Sequence, residues 1–311
     1  MRRATRSSEA VCVRGESIYR VKCAYHAEYM NDFTVMGSAI EQRHARCKAW
    51  WEPHLQCTRD FVARHIEDGS RVAILGAGRL FDLDLALILK RATEVHLFDA
   101  DPGCLSLWRT KAGSDFRRRV VPHIVDLTDI LDEWTRPLRT VLRKGDLARY
   151  LSELRAPEPT WAQGAFDGLI SLNVAGQIPL YWRDRVLGFK ASLTNQEQAA
   201  LVHSMAELQS AHLRALSSAA GAFRILVTDT EYYYYESDCS TWEVEGALHG
   251  YSSNVFNDSF PQEGSESWLW HLAPQYIESD HEGEIHRVEA RAIPRFRDAH
   301  PSTLNGVRDM S

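Results

Sequence analysis

Short apolar runs and amphipathic stretches alternate along most of the chain, and their periods separate strands from helices. RVAILGAG, residues 71–78, is an apolar run ending in glycines, as expected of a strand buried on both faces of a parallel sheet. LFDLDLALILKRA, residues 80–92, places Leu83 and Leu87 on one face and predicts a helix. EVHLFDADP (94–102), RVVPHIVDL (119–127), FDGLISLN (166–173) and FRILVTDT (223–230) repeat the strand pattern with helical character between them. This alternation predicts an α/β architecture with an open, doubly wound, mainly parallel sheet. SWLWHLAP (267–274) and HRVEARAI (286–293), separated by an acidic, glycine-containing turn region, read as a C-terminal antiparallel hairpin and bring the sheet to seven strands.

Helical segments surround that core. From Ala39 to Asp68, the residues Trp51, Leu55, Val62 and Ile66 form an apolar stripe, and Pro53 predicts a break with a new helix starting near it and ending before Gly69. Residues 1–68 therefore form an N-terminal helical extension, either a layer packed on the main domain or a lid over a site. The main domain spans 69–311. It carries an inserted helix pair at about 128–165, with helical pattern around Leu138 to Leu154 and a break at APEP. Thr194 and Glu197 form a capping box for a helix whose inner stripe is Leu201, Met205, Leu208, His212 and Ala215, with Gly221 as its stop. His212 is expected as a satisfied buried histidine.

Charge and cysteine content narrow the class. With 36 Lys and Arg against 42 Asp and Glu, the net charge of −6 opposes binding to a phosphate backbone, and Arg117, Arg118 and Arg119 read as a solvated run. Nucleic acid is thus an unexpected partner. The six cysteines show no C-x-x-C pair, and the histidines no ligand spacing, so no metal is expected. The basic start lacks an apolar centre, and no apolar run reaches the roughly 18 residues of a membrane span. A cytoplasmic protein without a membrane partner is expected; homodimer formation is left open.

The candidate chemistry lies at the strand ends. Gly76-Ala77-Gly78 can turn sharply from strand to helix and let a ligand approach the backbone. Asp99, 23 residues after Gly76, ends the next strand where an acid can bond two ribose hydroxyls, and Asp126 ends the third where an adenine would lie. A nucleoside site fits this order; a purely structural turn is the alternative. Leu80 replaces the third glycine that a pyrophosphate site favours, and Asp82 and Asp84, read as lying in the first helical turns, would repel a pyrophosphate. They could instead attract an α-ammonium or simply complement the helix dipole.

Together, ILGAGRL, VHLFDADP, HIVDL, FDGLISLN and the terminal hairpin resemble the class I S-adenosylmethionine-dependent methyltransferases, from about Arg71 to Ile293. The resemblance implies a Rossmann-like fold and S-adenosylmethionine as cofactor, with contacts from Gly76, Ala77, Gly78, Asp99, Ala100, Asp126, Leu127 and Asn173. Leu80 and Ile74 depart from the family pattern, which makes Asp82 the substitute at the amino-acid end. The implied activity is methyl transfer to a nitrogen or oxygen of a small molecule. Because a sulfonium methyl is already electrophilic, alignment and water exclusion matter more than any fixed catalytic set. Asn173 ends the fourth strand and either aligns an acceptor nitrogen or caps its loop. Gln177, Tyr181 and Trp182 follow it, and Asp229 and Glu231 end the fifth strand. At most half of the run Tyr232 to Tyr235 can face one cavity. His203, His249 and His271 are candidate bases. The proposed catalytic set is Asn173, Tyr181, His203 and Glu231. Alternatives are aminocarboxypropyl or aminopropyl transfer with the same cofactor, an NAD-dependent oxidoreductase, and a non-catalytic scaffold.

Overall fold

A computed structural model describes residues 26–219, 222–236 and 242–295. The expected stop at Gly221, the basic N-terminal stretch, and Cys12, Cys23 and Cys239 lie outside these residues. Five parallel strands occupy the centre: β1 (Arg71–Leu75), β2 (Glu94–Asp99), β3 (Val120–Ile124), β4 (Gly168–Leu172) and β5 (Phe223–Glu236). A further strand, β6 (Trp242–Gly246), pairs antiparallel with the outer half of β5. The hairpin of β7 (Glu266–Ala273) and β8 (Glu282–Ile293) joins through β8, giving the order β3-β2-β1-β4-β5-β8-β7. The seven expected strands form that path, and β6 is an eighth that the sequence reading did not include.

Alternation along the strands explains the two helical layers. On β1, Val72 and Ile74 enter one core while Ala73 and Leu75 enter another. The first core receives α1 (His26–His65), α2 (Leu85–Arg91) and α3 (Cys104–Ala112). Between β3 and β4 stand three short helices rather than a pair: α4 (Leu131–Thr135), α5 (Leu138–Lys144) and α6 (Leu147–Glu153). They pack with α7 (Ile178–Phe189) and one side of α8 (Asn195–Ser218) around Trp134, Leu138 and Trp182. α8 and α9 (Ser252–Ser259) cover the second face through Leu213, Leu216, Phe256 and Phe260.

The capping box forms as expected: Thr194 accepts from the Glu197 amide, and Glu197 accepts from the Thr194 amide. His212 is buried, with Nε2 2.9 Å from Ser171 Oγ.

Two helical expectations need correction. The break in α1 falls at Cys47, with φ −101° and ψ 15°, rather than at Pro53, which lies inside the continuing helix. After the kink, Trp51, Leu55, Phe61, Val62 and Ile66 are all buried, and Trp51 Nε1 donates to Leu272 O on β7 at 2.9 Å. α2 is also shorter than expected. Asp84 is its N-cap, accepting from Leu87 N, and Asp82 lies ahead of the helix instead of in its first turn. No described helix is long and apolar enough to cross a membrane, and no metal-binding group of three or more ligands occurs among the described residues.

Candidate functional site

The carboxyl ends of β1, β2, β4 and β5 open onto a cavity of about 410 Å³. It lies where open α/β sheets bind their ligands, at the reversal of strand order between β1 and β4. A wider groove of about 650 Å³ runs between α1 and residues 80–87, lined by Lys48, Arg59 and Lys111 among others, and contains no strand tip.

The glycine loop forms one wall. Gly76 has φ 74°, and a Cβ there would stand 2.8 Å from Val174 Cβ, so both the turn and its packing require glycine. Gly78 donates its amide to Asp99 Oδ2 at 2.8 Å, and Asp99 Oδ1 accepts from Asp101 N at 2.9 Å. The Asp99 carboxyl is thereby fixed at the cavity wall. Burial raises its pKa, while the two amides oppose the shift. Ala100 lies beside it in the lining, whereas Ala77 is a buried core residue behind the loop. Leu80, at the third-glycine position, is 1% exposed and left-handed at φ 54°.

Asp126 and Leu127 also line the cavity. Asp126 accepts from the Thr128 amide and hydroxyl and from Leu131 N, folding the start of the insertion onto the strand tip. α1 supplies the roof through Phe33, Met36, Gly37, Ile40 and Arg43. At Gly37 a Cβ would come within 2.1 Å of Asp101 Oδ2, so only glycine lets the roof lie this close. Phe33 stacks on Tyr181 at 4.4 Å, and Asp32 pairs with Arg185 at 2.6 Å.

The far wall is polar and aromatic. His286 Nδ1 stands 3.3 Å from Asp229 Oδ2 and its Nε2 2.9 Å from Glu284 Oε1. Burial alone would depress its pKa; the two carboxylates outweigh it and raise the value to about 9. Tyr232 and Trp270 pack beside His286, and Tyr181 lines the cavity under the roof, against Phe33. Burial pushes the Tyr181 hydroxyl up to about 12, and that hydroxyl accepts from Arg185 Nε at 2.7 Å.

Of the four proposed catalytic residues, the structure places only Tyr181 in this lining. Asn173 ends β4 in the left-handed region at φ 51°, a conformation asparagine tolerates, and it donates from Nδ2 to Asp82 Oδ2 at 3.1 Å. Its neighbours Leu172 and Val174 face the cavity; Asn173 and Asp82 are not in the lining. His203 lies on the outer side of α8, within 3.1 Å of Arg155 and 3.9 Å of Glu207, away from the cavity.

Glu231 is removed by a β-bulge. The β5–β8 register shifts between Asp229 and Glu231, so Asp229 opposes Val288 and Tyr232 opposes His286 on one face. Glu231 opposes Arg287 on the other and pairs with it at 3.0 Å. His249 and His271 are not lining residues either. The histidine that is, His286, was missed by the sequence reading. Period two in HRVEARAI puts it on the face of Val288 and Ala290, but only the pairing of β8 with β5 brings it to Asp229.

The chain matches no protein-family model and no curated protein. Among solved structures it is similar to the 1,6-didemethyltoxoflavin-N1-methyltransferase of Burkholderia thailandensis at 12% identity and TM-score 0.39, over 89% of this chain and 93% of that one. An S-adenosylmethionine-dependent methyltransferase from Mesorhizobium loti is similar at 16% identity and TM-score 0.33, over 75% and 95% of the two chains. Trm5b from Pyrococcus abyssi is similar at 13% identity and TM-score 0.31; 77% of this chain is covered, and it spans about half of that one, 49%. The strand order itself, five parallel strands with a reversed hairpin inserted beside β5, identifies the architecture. It is a Rossmann-like, doubly wound α/β fold.

Proposed function

We propose that the protein belongs with the class I methyltransferases, binds S-adenosylmethionine at the tips of β1 and β2, and methylates a nitrogen or oxygen of a small molecule. The observation that carries this reading is the Gly78–Asp99 hydrogen bond of 2.8 Å at the wall of an open cavity. An acid ending β2 beside a glycine turn suits a ribose diol.

When bound, the cofactor supplies an electrophilic methyl on sulfur. Asp99 would hold its sugar, Gly76 and Gly78 would let it approach the backbone, and Leu127 and Ile178 offer apolar contact for a base. The volume of about 410 Å³ falls in the usual range for small-molecule sites of about 300–1,000 Å³. The roof from α1 would exclude water, so we assign the half of α1 before Cys47 the role of lid. The free thiols of Cys47, Cys57 and Cys104 fit a reducing, cytoplasmic setting.

Calorimetric titration with S-adenosylhomocysteine tests the reading directly. Saturable binding by the full chain, weakened by Asp99→Asn, is expected. Absence of binding to the unmutated protein would overturn it.

A further inference from the structure

The far wall has a charge pattern that methyl transfer as such does not require. Asp229 is 1% exposed and lines the cavity, yet neither carboxylate oxygen has a well-aligned hydrogen bond among the described residues; its close polar neighbour is His286. Glu284, on the other side of that ring, has a side chain 25% exposed. Two carboxylates around one imidazolium leave a net negative charge. The arginines of the lining do not neutralise it: Arg43 is paired with Glu278 at 3.1 Å and Arg79 with Asp101 at 3.0 Å. A buried carboxylate whose close polar neighbour is an imidazole 3.3 Å away keeps unfilled acceptor capacity, which is costly unless something else satisfies it. Tyr232 and Trp270, with ring centroids 4.3 and 5.5 Å from that of His286, supply aromatic walls at this end, which favour a cation over an anion.

We propose that the acceptor is an amine: a compact molecule with an apolar body and a basic nitrogen, entering as an ammonium ion and held by Asp229. This rests on the cofactor reading above and narrows it from nitrogen or oxygen to nitrogen. Asp229 takes the ammonium proton, which frees the nitrogen lone pair. That pair forms the new N–C bond as the S–C bond breaks, and the S–C electrons stay on sulfur, giving S-adenosylhomocysteine and a methylammonium product. Glu284 and His286 hold Asp229 in place; they are positioning residues.

Three probes of similar size separate the cases: tyramine, neutral 4-ethylphenol and anionic 4-hydroxyphenylacetate, each titrated into the full chain saturated with S-adenosylhomocysteine. Tyramine is expected to bind at least about tenfold more tightly than the anion, because one close opposite charge replaces one like charge. Asp229→Asn and Glu284→Gln should each erode that preference while S-adenosylhomocysteine affinity holds. Glu284→Gln gives the same readout at a more exposed position should Asp229→Asn fail to fold. Equal or inverted preference in the unmutated protein, or no tyramine binding by about 10 mM, the weak end of specific affinity, would overturn the amine proposal. So would a loss in Asp229→Asn confined to S-adenosylmethionine relative to S-adenosylhomocysteine, which would mean that the wall serves the sulfonium. Failure of S-adenosylhomocysteine to bind at all would remove the cofactor reading and this one with it; cofactor binding without amine preference removes this one alone.

Discussion

Leu80 sets two local effects against each other, and their sizes predict an unusual ranking of variants. Its φ of 54° costs an L-residue about 1–2 kcal/mol, which a glycine would not pay. Its side chain is 1% exposed in the core shared by α1, α2 and β1, and deleting so buried a leucine costs about 2–5 kcal/mol. Leu80→Gly removes both contributions, so burial wins and a net loss of about 1–3 kcal/mol is expected. Leu80→Ala loses nearly the same burial but keeps the strain. It should fall below the glycine variant by up to about 1 kcal/mol after allowing for glycine's freer unfolded chain. Urea denaturation followed by tryptophan fluorescence, without ligand, gives the order directly. The expected midpoints run unmutated, then Leu80→Gly, then Leu80→Ala. A glycine variant more stable than the unmutated chain, or an alanine variant above the glycine one, would refute the reasoning.

Asp99→Asn keeps one acceptor for the Gly78 amide but removes the charge, so S-adenosylhomocysteine affinity should drop about 30-fold, equivalent to about 2 kcal/mol for a hydrogen bond to a charged group; unchanged calorimetric affinity would contradict this. His286 titrates at about 9 in the folded chain against an ordinary 6.5. Its stabilisation should be complete below pH 6.5 and disappear as pH rises through about 9, so the melting temperature should fall over that window and do so less in His286→Gln. Burial raises the Asp82 pKa to about 6, which makes its ionised form a liability at pH 8. Asp82→Asn, which can still accept from Asn173, should therefore stabilise the fold by about 1 kcal/mol at pH 8, discounted for its partial exposure, with cofactor affinity intact. Loss of affinity in that variant would restore Asp82 to the amino-acid end of the site.

Legibility in the sequence followed the range of the interactions. Strand ends can be read locally, because an apolar run stops where its polar residue stops, so Asp99, Asp126 and Asn173 were found at the tips of β2, β3 and β4. Side-chain direction could not be read in the same way. Asn173 is turned by a left-handed backbone that the sequence merely permits, and Glu231 is displaced by a bulge invisible to strict alternation. His286 and Asp229 lie 57 residues apart and meet only through antiparallel pairing of β5 with β8. For α1, Pro53 predicted a break, yet the helix continues through it and the non-helical residue is Cys47, six residues earlier.

The burial of Trp51, Leu55, Phe61 and Ile66 in one cluster with Val72, Ile74 and Val95 has a practical corollary for protein engineering. A shortened form starting at Gly69 would expose a greasy flank of the sheet and forfeit the ceiling over the strand tips in a single cut. Expression trials and fusion partners should therefore respect the helix as an integral wall, and a single unfolding step for both halves is the signature to seek.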